Sequence, residues 1–226
     1  MVMLRFSEED HRLVTAAVTK AERESDGEIV TVVAGRSDGY HDVGLHYAVL
    51  AMLLVPALLA FVPQSTVDWA TGLVLGWNAE IGRVALMGFL FVALTLVFLI
   101  VRFALAYMPL RMALTPGSTK TRRVRRRAVE LFRTGTEHRT AGRTGVLLYL
   151  SLAEHRAELV ADQAIHSQVT PDVWGDAMDV LVEHVKEGRG GVGMALAVEK
   201  IGAVLAQCLP KTLDNPNELP DRLIEL

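Results

Sequence analysis

Two long runs without formal charge lie in the first half of the chain and limit what it can fold into. Val43–Val62 covers 20 residues. Val84–Val101 covers 18, and after Arg102 the apolar pattern continues to Tyr107. A helix of 20 residues is roughly 30 Å long, about the thickness of the hydrocarbon core of a bilayer. Two such helices would overfill the core of a small soluble domain. The sequence therefore predicts a transmembrane hairpin over residues 42–108, with spans at about 43–62 and 84–107.

The distribution of positive charge predicts the orientation of this hairpin. Few charges lie between the two runs. After the second run, the six-residue segment 122–127 contains five arginines: Arg122, Arg123, Arg125, Arg126 and Arg127. Because Lys and Arg collect on the cytoplasmic side, we expect a multi-pass inner-membrane protein with both termini in the cytoplasm.

The arginine run has two open interpretations besides solvation of a helix face. It is a determinant of topology, or it contacts anionic lipid headgroups, where each residue contributes on the order of 1 kcal/mol near the surface. Nucleic acid is not an expected partner, because the net charge is −3 and no aromatic residues are interleaved with the arginines.

The residues outside the hairpin carry the pattern of a small α/β domain. Ser7 and Asp10 resemble a capping box at the start of an amphipathic helix, and Glu28–Ala34 is a strand rich in β-branched residues. After the hairpin, a basic helix is predicted at about 122–134, and strands at Gly145–Leu152 and Arg156–Ala161. Two helices follow, at about 170–187 and 192–209.

Residues 1–41 and 109–210 hold too few strands to form separate cores, so we expect them to dock together. A strand, a crossover helix and a second strand favour parallel pairing of 28–34 with 145–152, and the short turn makes 156–161 antiparallel to its neighbour. The fold class predicted is α/β, a mixed sheet of about three to four strands flanked by helices and interrupted by the hairpin. The tail, 211–226, is too rich in Pro and Asn to extend a helix.

These segments resemble the TPM-domain family, a phosphatase-like domain. The resemblance rests on FSEEDHRLVTAAVTKAERES, GEIVTVVAG with its loop RSDGY, RVRRRAVELFR, and the paired strands in TGVLLYLSLAEHRAELVADQAI. The chain is most similar to bacterial membrane versions that carry two spans inside the domain, and its tail PNELPDRLIEL is similar to theirs. The resemblance implies a TPM-like fold over nearly all of the chain outside the spans.

The resemblance also implies a site. Some family members bind divalent ions at loop carboxylates, and some have phosphatase activity. Asp38, after the first strand, and Asp162, after the third, match those acidic loop positions and are the predicted ligands of a divalent cation such as calcium or magnesium. Solvated loop carboxylates are the simpler interpretation of both residues.

The sequence contains no catalytic signature. Cys208 has no arginine six positions later, and neither an Asp-x-Asp strand end nor a His-Glu-x-x-His motif is present. We therefore expect a membrane-anchored binding or accessory module for a membrane or cell-envelope assembly, partnered by the lipid bilayer and by a membrane protein or further copies of the chain. The alternative is a divalent-metal-dependent phosphatase at the cytoplasmic membrane face.

Overall fold

A computed structural model describes residues 6–76, 82–135, 144–169, 171–212 and 218–226. Along the chain the elements are α1 (Glu8–Glu24), β1 (Glu28–Ala34), α2 (His41–Leu59), α3 (Gln64–Leu75), α4 (Arg83–Ala104), α5 (Met108–Leu114), α6 (Gly117–Gly135), β2 (Gly145–Ser151), β3 (Arg156–Ala161), α7 (Gln163–His166), a short 3-10 turn (Pro171–Trp174), α8 (Gly175–Lys186), α9 (Gly190–Cys208) and β4 (Ile224–Glu225).

The chain divides into two compact units. Unit 1 comprises Met1–Gly39 and Pro116–Leu226, and unit 2 comprises Tyr40–Thr115. The second boundary lies later than the predicted one at 108/109 because α5 belongs to unit 2. Its Arg111 side chain donates to the Leu105 carbonyl at 2.7 Å, and the Tyr47 hydroxyl donates to the Leu114 carbonyl at 3.0 Å.

Unit 1 is built on a four-stranded mixed sheet in the order β3-β2-β1-β4. β1 and β2 are parallel and in register from Glu28↔Gly145 to Ala34↔Ser151, and β2 and β3 are antiparallel. The predicted fold class and both predicted pairings are therefore confirmed. The predicted loop over 135–144 lies mostly outside the described residues.

Every residue of β1 and β2 is buried, because helices or the tail cover both faces of the sheet. One face packs against α1, α8 and α9 through residues such as Ile29, Val33 and Leu148. The other face packs against α6 through Val30, Val32 and Leu147. This double burial explains why the two strands are nearly continuous apolar runs.

Local signals account for the starts of two helices in unit 1, α1 and α6. The predicted capping box is present at α1: the Ser7 hydroxyl accepts from the Asp10 amide, and Asp10 accepts from the Ser7 amide. The predicted start of the basic helix at about 122 was too late. α6 begins at Gly117, because the Pro116 carbonyl already accepts from the amides of Thr119 and Lys120.

The tail forms a strand that the sequence did not predict. β4 pairs in parallel with β1 through Val32↔Ile224 and Val33↔Glu225, and the Leu226 amide donates to the Val33 carbonyl at 2.9 Å. Side chains hold the tail as well, since Thr19 donates to Asp221 at 2.7 Å. A strand of two residues carries too little alternation to be read from sequence.

In unit 2, α2 and α4 pack against each other as a hairpin, and α3 follows the first of them. Three helices in the described residues are long and apolar enough to cross a membrane by length and composition: α2, α4 and α9. α9 is a core helix of unit 1, with Met194, Ile201 and Leu205 fully buried. α4 differs sharply, because none of its residues is buried.

Two carboxylates accept backbone hydrogen bonds near the amino end of β1, outside the part of the strand that pairs with β4. Glu22 accepts the Ile29 amide at 3.0 Å, and Glu28 accepts the Leu219 amide at 3.2 Å. Both side chains are buried. Burial raises the pKa of Glu22 to about 8 and also raises the pKa of Glu28. In the folded domain at neutral pH, the Glu22 carboxyl is therefore mainly protonated and uncharged.

This burial predicts a pH dependence of stability. A carboxyl with a raised pKa binds a proton more tightly when folded, so the free energy of unfolding falls as pH rises from about 4.5 to about 8. Glu22→Gln keeps the acceptor for Ile29 and removes the ionisation. We expect the variant to be more stable than the wild type at pH 8 by about 4 kcal/mol, with little difference near pH 4.5.

The measurement is urea denaturation of the full chain in mild detergent, followed by circular dichroism. Glu24→Gln, an exposed position on the same helix, is the matched control and should follow the wild type. Equal pH slopes for wild type and Glu22→Gln would contradict the assignment.

A close approach of two helices makes a second prediction. A Cβ added to Gly202 on α9 would lie 2.5 Å from the Cβ and 3.2 Å from the Cα of Ala21 on α1. Gly202→Ala should therefore cost about 1–3 kcal/mol of unfolding free energy. Gly175→Ala, whose Cβ meets nothing within 4 Å, is the control and should be neutral or slightly stabilising. A neutral Gly202→Ala would show that α1 and α9 pack less closely than described.

Candidate functional site

The carboxyl ends of β1 and β2 lie side by side because the two strands are parallel and in register. The loops that follow them are joined by two backbone hydrogen bonds, from the Leu152 amide to the Ala34 carbonyl at 3.0 Å and from the Ala153 amide to the Gly35 carbonyl at 3.1 Å. In open α/β sheets, this edge is where ligands commonly bind. It is also where the sequence places Asp38.

Four polar residues form a network at this edge, here called the carboxyl-edge network: Ser37, Tyr149, Ser151 and Glu154. The Ser37 hydroxyl lies 2.8 Å from the Ser151 hydroxyl and 3.0 Å from the Tyr149 hydroxyl. The Ser37 amide donates to Glu154 at 3.0 Å, and the Ser151 hydroxyl donates to the other oxygen of Glu154. Tyr149, Ser151 and Glu154 are buried, and burial raises the pKa of Tyr149.

The network is suited to holding a loop in place. The Ser37 hydroxyl donates to the Ser151 hydroxyl, and Ser151 in turn donates to the Glu154 carboxylate. An activated serine needs a base within hydrogen-bond reach of its own oxygen, and Glu154 instead accepts the Ser37 amide. Ser37 is thereby fixed on both its amide and its hydroxyl, and this fixes the position of Asp38 next to it.

Asp38 pairs with two arginines of α6, and these three residues are here called the Asp38 cluster. One carboxylate oxygen of Asp38 accepts from Arg123 at 2.7 Å and from Arg126 at 2.9 Å. The two arginines are three residues apart and so lie on the same side of the helix, one turn from each other. The structure thus joins a predicted metal ligand to two members of the predicted basic run, a contact that no sequence pattern predicted.

The remaining arginines of the run have other neighbours. Arg127 pairs with Glu130 at 3.3 Å, and Arg122 lies 3.5 Å from the Thr119 hydroxyl. Arg125 lowers the pKa of the half-buried Glu158, whose pKa is nevertheless raised overall by burial. All three arginines are exposed.

Asp162 lies at the opposite edge of the sheet. β3 runs antiparallel to β2, so the end of β3 lies beside the start of β2, and the Asp162 amide donates to the Gly145 carbonyl at 2.9 Å. The length of β2, about 20 Å at roughly 3.3 Å per residue, separates this edge from the edge that holds Asp38. The two predicted ligands are therefore not brought together, and one ion cannot contact both.

Asp162 is buried, and no side chain or backbone group of the described residues forms a hydrogen bond with its Oδ2. Across the described ranges, no group of three or more His, Cys, Asp or Glu side chains is placed to hold a metal ion. The metal-binding roles of Asp38 and Asp162 thus remain two separate predictions. The described residues supply no complete set of protein ligands around either side chain.

Comparison with known proteins gives one structural likeness. The chain is similar to the NMR structure of the BA42 protein from the psychrophilic bacterium Bizionia argentinensis, with a TM-score of 0.56 and 16% sequence identity, over 100% of this chain and 99% of that one. No protein-family model matches the chain, and no curated protein matches it. At this identity the likeness establishes the fold alone. The fold is TPM-domain-like, as the sequence resemblance implied.

The carboxyl-edge network predicts a specific sensitivity to mutation. Ser151→Ala removes a hydroxyl that bonds both Ser37 and the buried Glu154, so two hydrogen bonds of the network are lost. We expect a loss of about 2 kcal/mol in the free energy of unfolding. Ser167→Ala removes an exposed hydroxyl that bonds only to its own helix turn, and should change stability by less than about 0.5 kcal/mol.

Urea denaturation of both variants in the same detergent gives the two values. A Ser151→Ala variant as stable as Ser167→Ala would contradict the assignment of Ser151 as the link between the two loops.

Proposed function

We propose that the chain is a two-span membrane protein and that its TPM-like domain acts as a binding or accessory module at the cytoplasmic membrane face. The observation that carries the proposal is the exposed surface of α4, which has 22 residues and none of them buried. Phe91 and Phe103 are 70% and 72% exposed. An apolar surface of this kind is stable only against lipid or another apolar surface.

The arrangement of the chain supports the same proposal. β1 and β2, on either side of unit 2, belong to one sheet, so both ends of the α2–α4 hairpin must reach the same domain. An even number of spans satisfies this condition with the domain on one side of the membrane. The arginines of α6 then favour the cytoplasmic side.

An accessory role agrees with the chemistry at the carboxyl edge. The carboxyl-edge network fixes a loop without activating a nucleophile, and Asp38 is neutralised by two guanidinium groups. The phosphatase alternative would require Asp38 to exchange both arginines for a metal ion. Its test is thermal stabilisation of the full chain by calcium or magnesium that Asp38→Ala abolishes.

Site-directed labelling tests the membrane topology. In a Cys208→Ala background, Ser65→Cys on α3 and Ser118→Cys on α6 are matched exposed positions outside the two proposed spans. In intact spheroplasts, an impermeant maleimide should modify the residue at 65 and reach the residue at 118 only after permeabilisation. Carbonate extraction should leave the protein in the membrane pellet.

Labelling of both positions from the same side, or release by carbonate, would overturn the two-span proposal. The accessory role is tested separately by gentle detergent purification, from which a homo-oligomer or a stable complex with a membrane protein is expected. A chain that is strictly monomeric and alone would count against that role.

A further inference from the structure

We propose that Arg123 and Arg126 form a binding site for the phosphate of an anionic phospholipid headgroup, and that Asp38 is its built-in counter-ion, displaced when the headgroup binds. The inference rests on the proposed membrane anchoring. It adds the class of ligand, an anionic phospholipid, and the residue that competes with this ligand, Asp38. It concerns the Asp38 cluster and leaves the predicted metal role of Asp162 aside.

Arg123 and Arg126 already bind one anionic group, the carboxylate of Asp38. A single oxygen of Asp38 accepts from Arg123 at 2.7 Å and from Arg126 at 2.9 Å, so two guanidinium groups converge on one point. Guanidinium groups bind phosphate oxygens with the same donor geometry that they use for carboxylates. A phosphate placed at that point would therefore retain both hydrogen bonds.

Charge favours the exchange. The cluster combines two positive groups with one carboxylate and so keeps a net positive charge. A phosphodiester brings a negative charge into a region that keeps a positive excess even with Asp38 present. Arg126 is 58% exposed, so an incoming headgroup can contact it before Asp38 moves.

The place of the cluster in the chain selects a lipid as the source of the phosphate. Asp38 stands three residues before His41, the first residue of α2. Three residues of fully extended chain cover at most about 11 Å, so the cluster is covalently held near the start of the first proposed span. Basic groups close to a span are attracted to the negative surface of the cytoplasmic leaflet.

The loop around Asp38 permits displacement without unfolding the domain. Ser37 is held by its amide and hydroxyl in the carboxyl-edge network, whereas the Asp38 side chain is partly exposed and is held by the two arginines among its contacts. Rotation of that side chain toward solvent would release both guanidinium groups and leave the network intact.

Binding to the full chain in neutral detergent tests the proposal. The apparent dissociation constant is obtained from the shift in thermal unfolding during titration with dihexanoylphosphatidylglycerol, dihexanoylphosphatidylcholine or inorganic phosphate. We expect the anionic lipid to bind at least tenfold more tightly than the zwitterionic lipid or inorganic phosphate. Equal binding of inorganic phosphate would overturn the assignment to a lipid.

Variants separate a counter-ion from a structural residue. Asp38→Asn removes the competing charge and should tighten binding of the anionic lipid at least about fivefold, the effect of one unit charge a few ångströms away in water. Arg123→Gln combined with Arg126→Gln should weaken it at least tenfold. Arg133→Gln, an exposed arginine in the last turn of the same helix, should leave it unchanged.

Unchanged or weaker binding by a folded Asp38→Asn variant overturns the proposal, as does an Arg133→Gln effect as large as that of the double variant. Asp38→Ser provides a second test if the asparagine variant fails to fold. Carbonate extraction of the membranes from which the wild-type chain is purified, done before detergent is added, distinguishes the two proposals. If the chain stays in the pellet but Asp38→Asn does not tighten lipid binding, only the headgroup proposal is contradicted. If the chain is released from the pellet, the membrane anchoring is contradicted.

Discussion

Parallel pairing of β1 with β2 is the interaction on which the rest of the structure depends. It joins a strand that precedes unit 2 to one that follows it, with register kept from Glu28↔Gly145 to Ala34↔Ser151. Neither segment alone could bury both faces of its strands, so the domain exists only when they meet. A long connection adds little to the entropic cost of closure, because that cost grows only with the logarithm of its length. An apolar hairpin can therefore interrupt the sheet without preventing it from forming.

The same pairing creates the chemistry of the carboxyl edge. Ser37 and Ser151 are 114 residues apart in the chain, and strand register brings their hydroxyl groups to 2.8 Å. The loop fixed in this way presents Asp38 to α6, where it pairs with Arg123 and Arg126. Contacts through Ser37 and Asp38 thus join the sheet, the loop and the basic helix.

Sequence patterns predicted the parts of the fold that depend on local periodicity or long apolar runs. The bounds of Glu28–Ala34 and Arg156–Ala161 were confirmed, and the capping box at Ser7 was found as expected. The two-residue strand β4 and the early start of α6 were missed, since the first depends on pairing with β1 and the second on the Pro116 carbonyl. The site was harder to predict. Asp38 and Arg126 are separated by 88 positions, and nothing in either segment marks the other as its partner.

The central claim, that the segments flanking unit 2 form one sheet, is tested most directly by cross-linking. In a Cys208→Ala background, Gly35→Cys and Ala153→Cys occupy two loops joined by a hydrogen bond of 3.1 Å. A short bismaleimide should link them efficiently in the folded full chain. The pair Gly35→Cys and Ser167→Cys, with Ser167 beyond the far edge of the sheet, should remain unlinked. Failure of the first pair, or equal linking of both, would contradict the shared sheet.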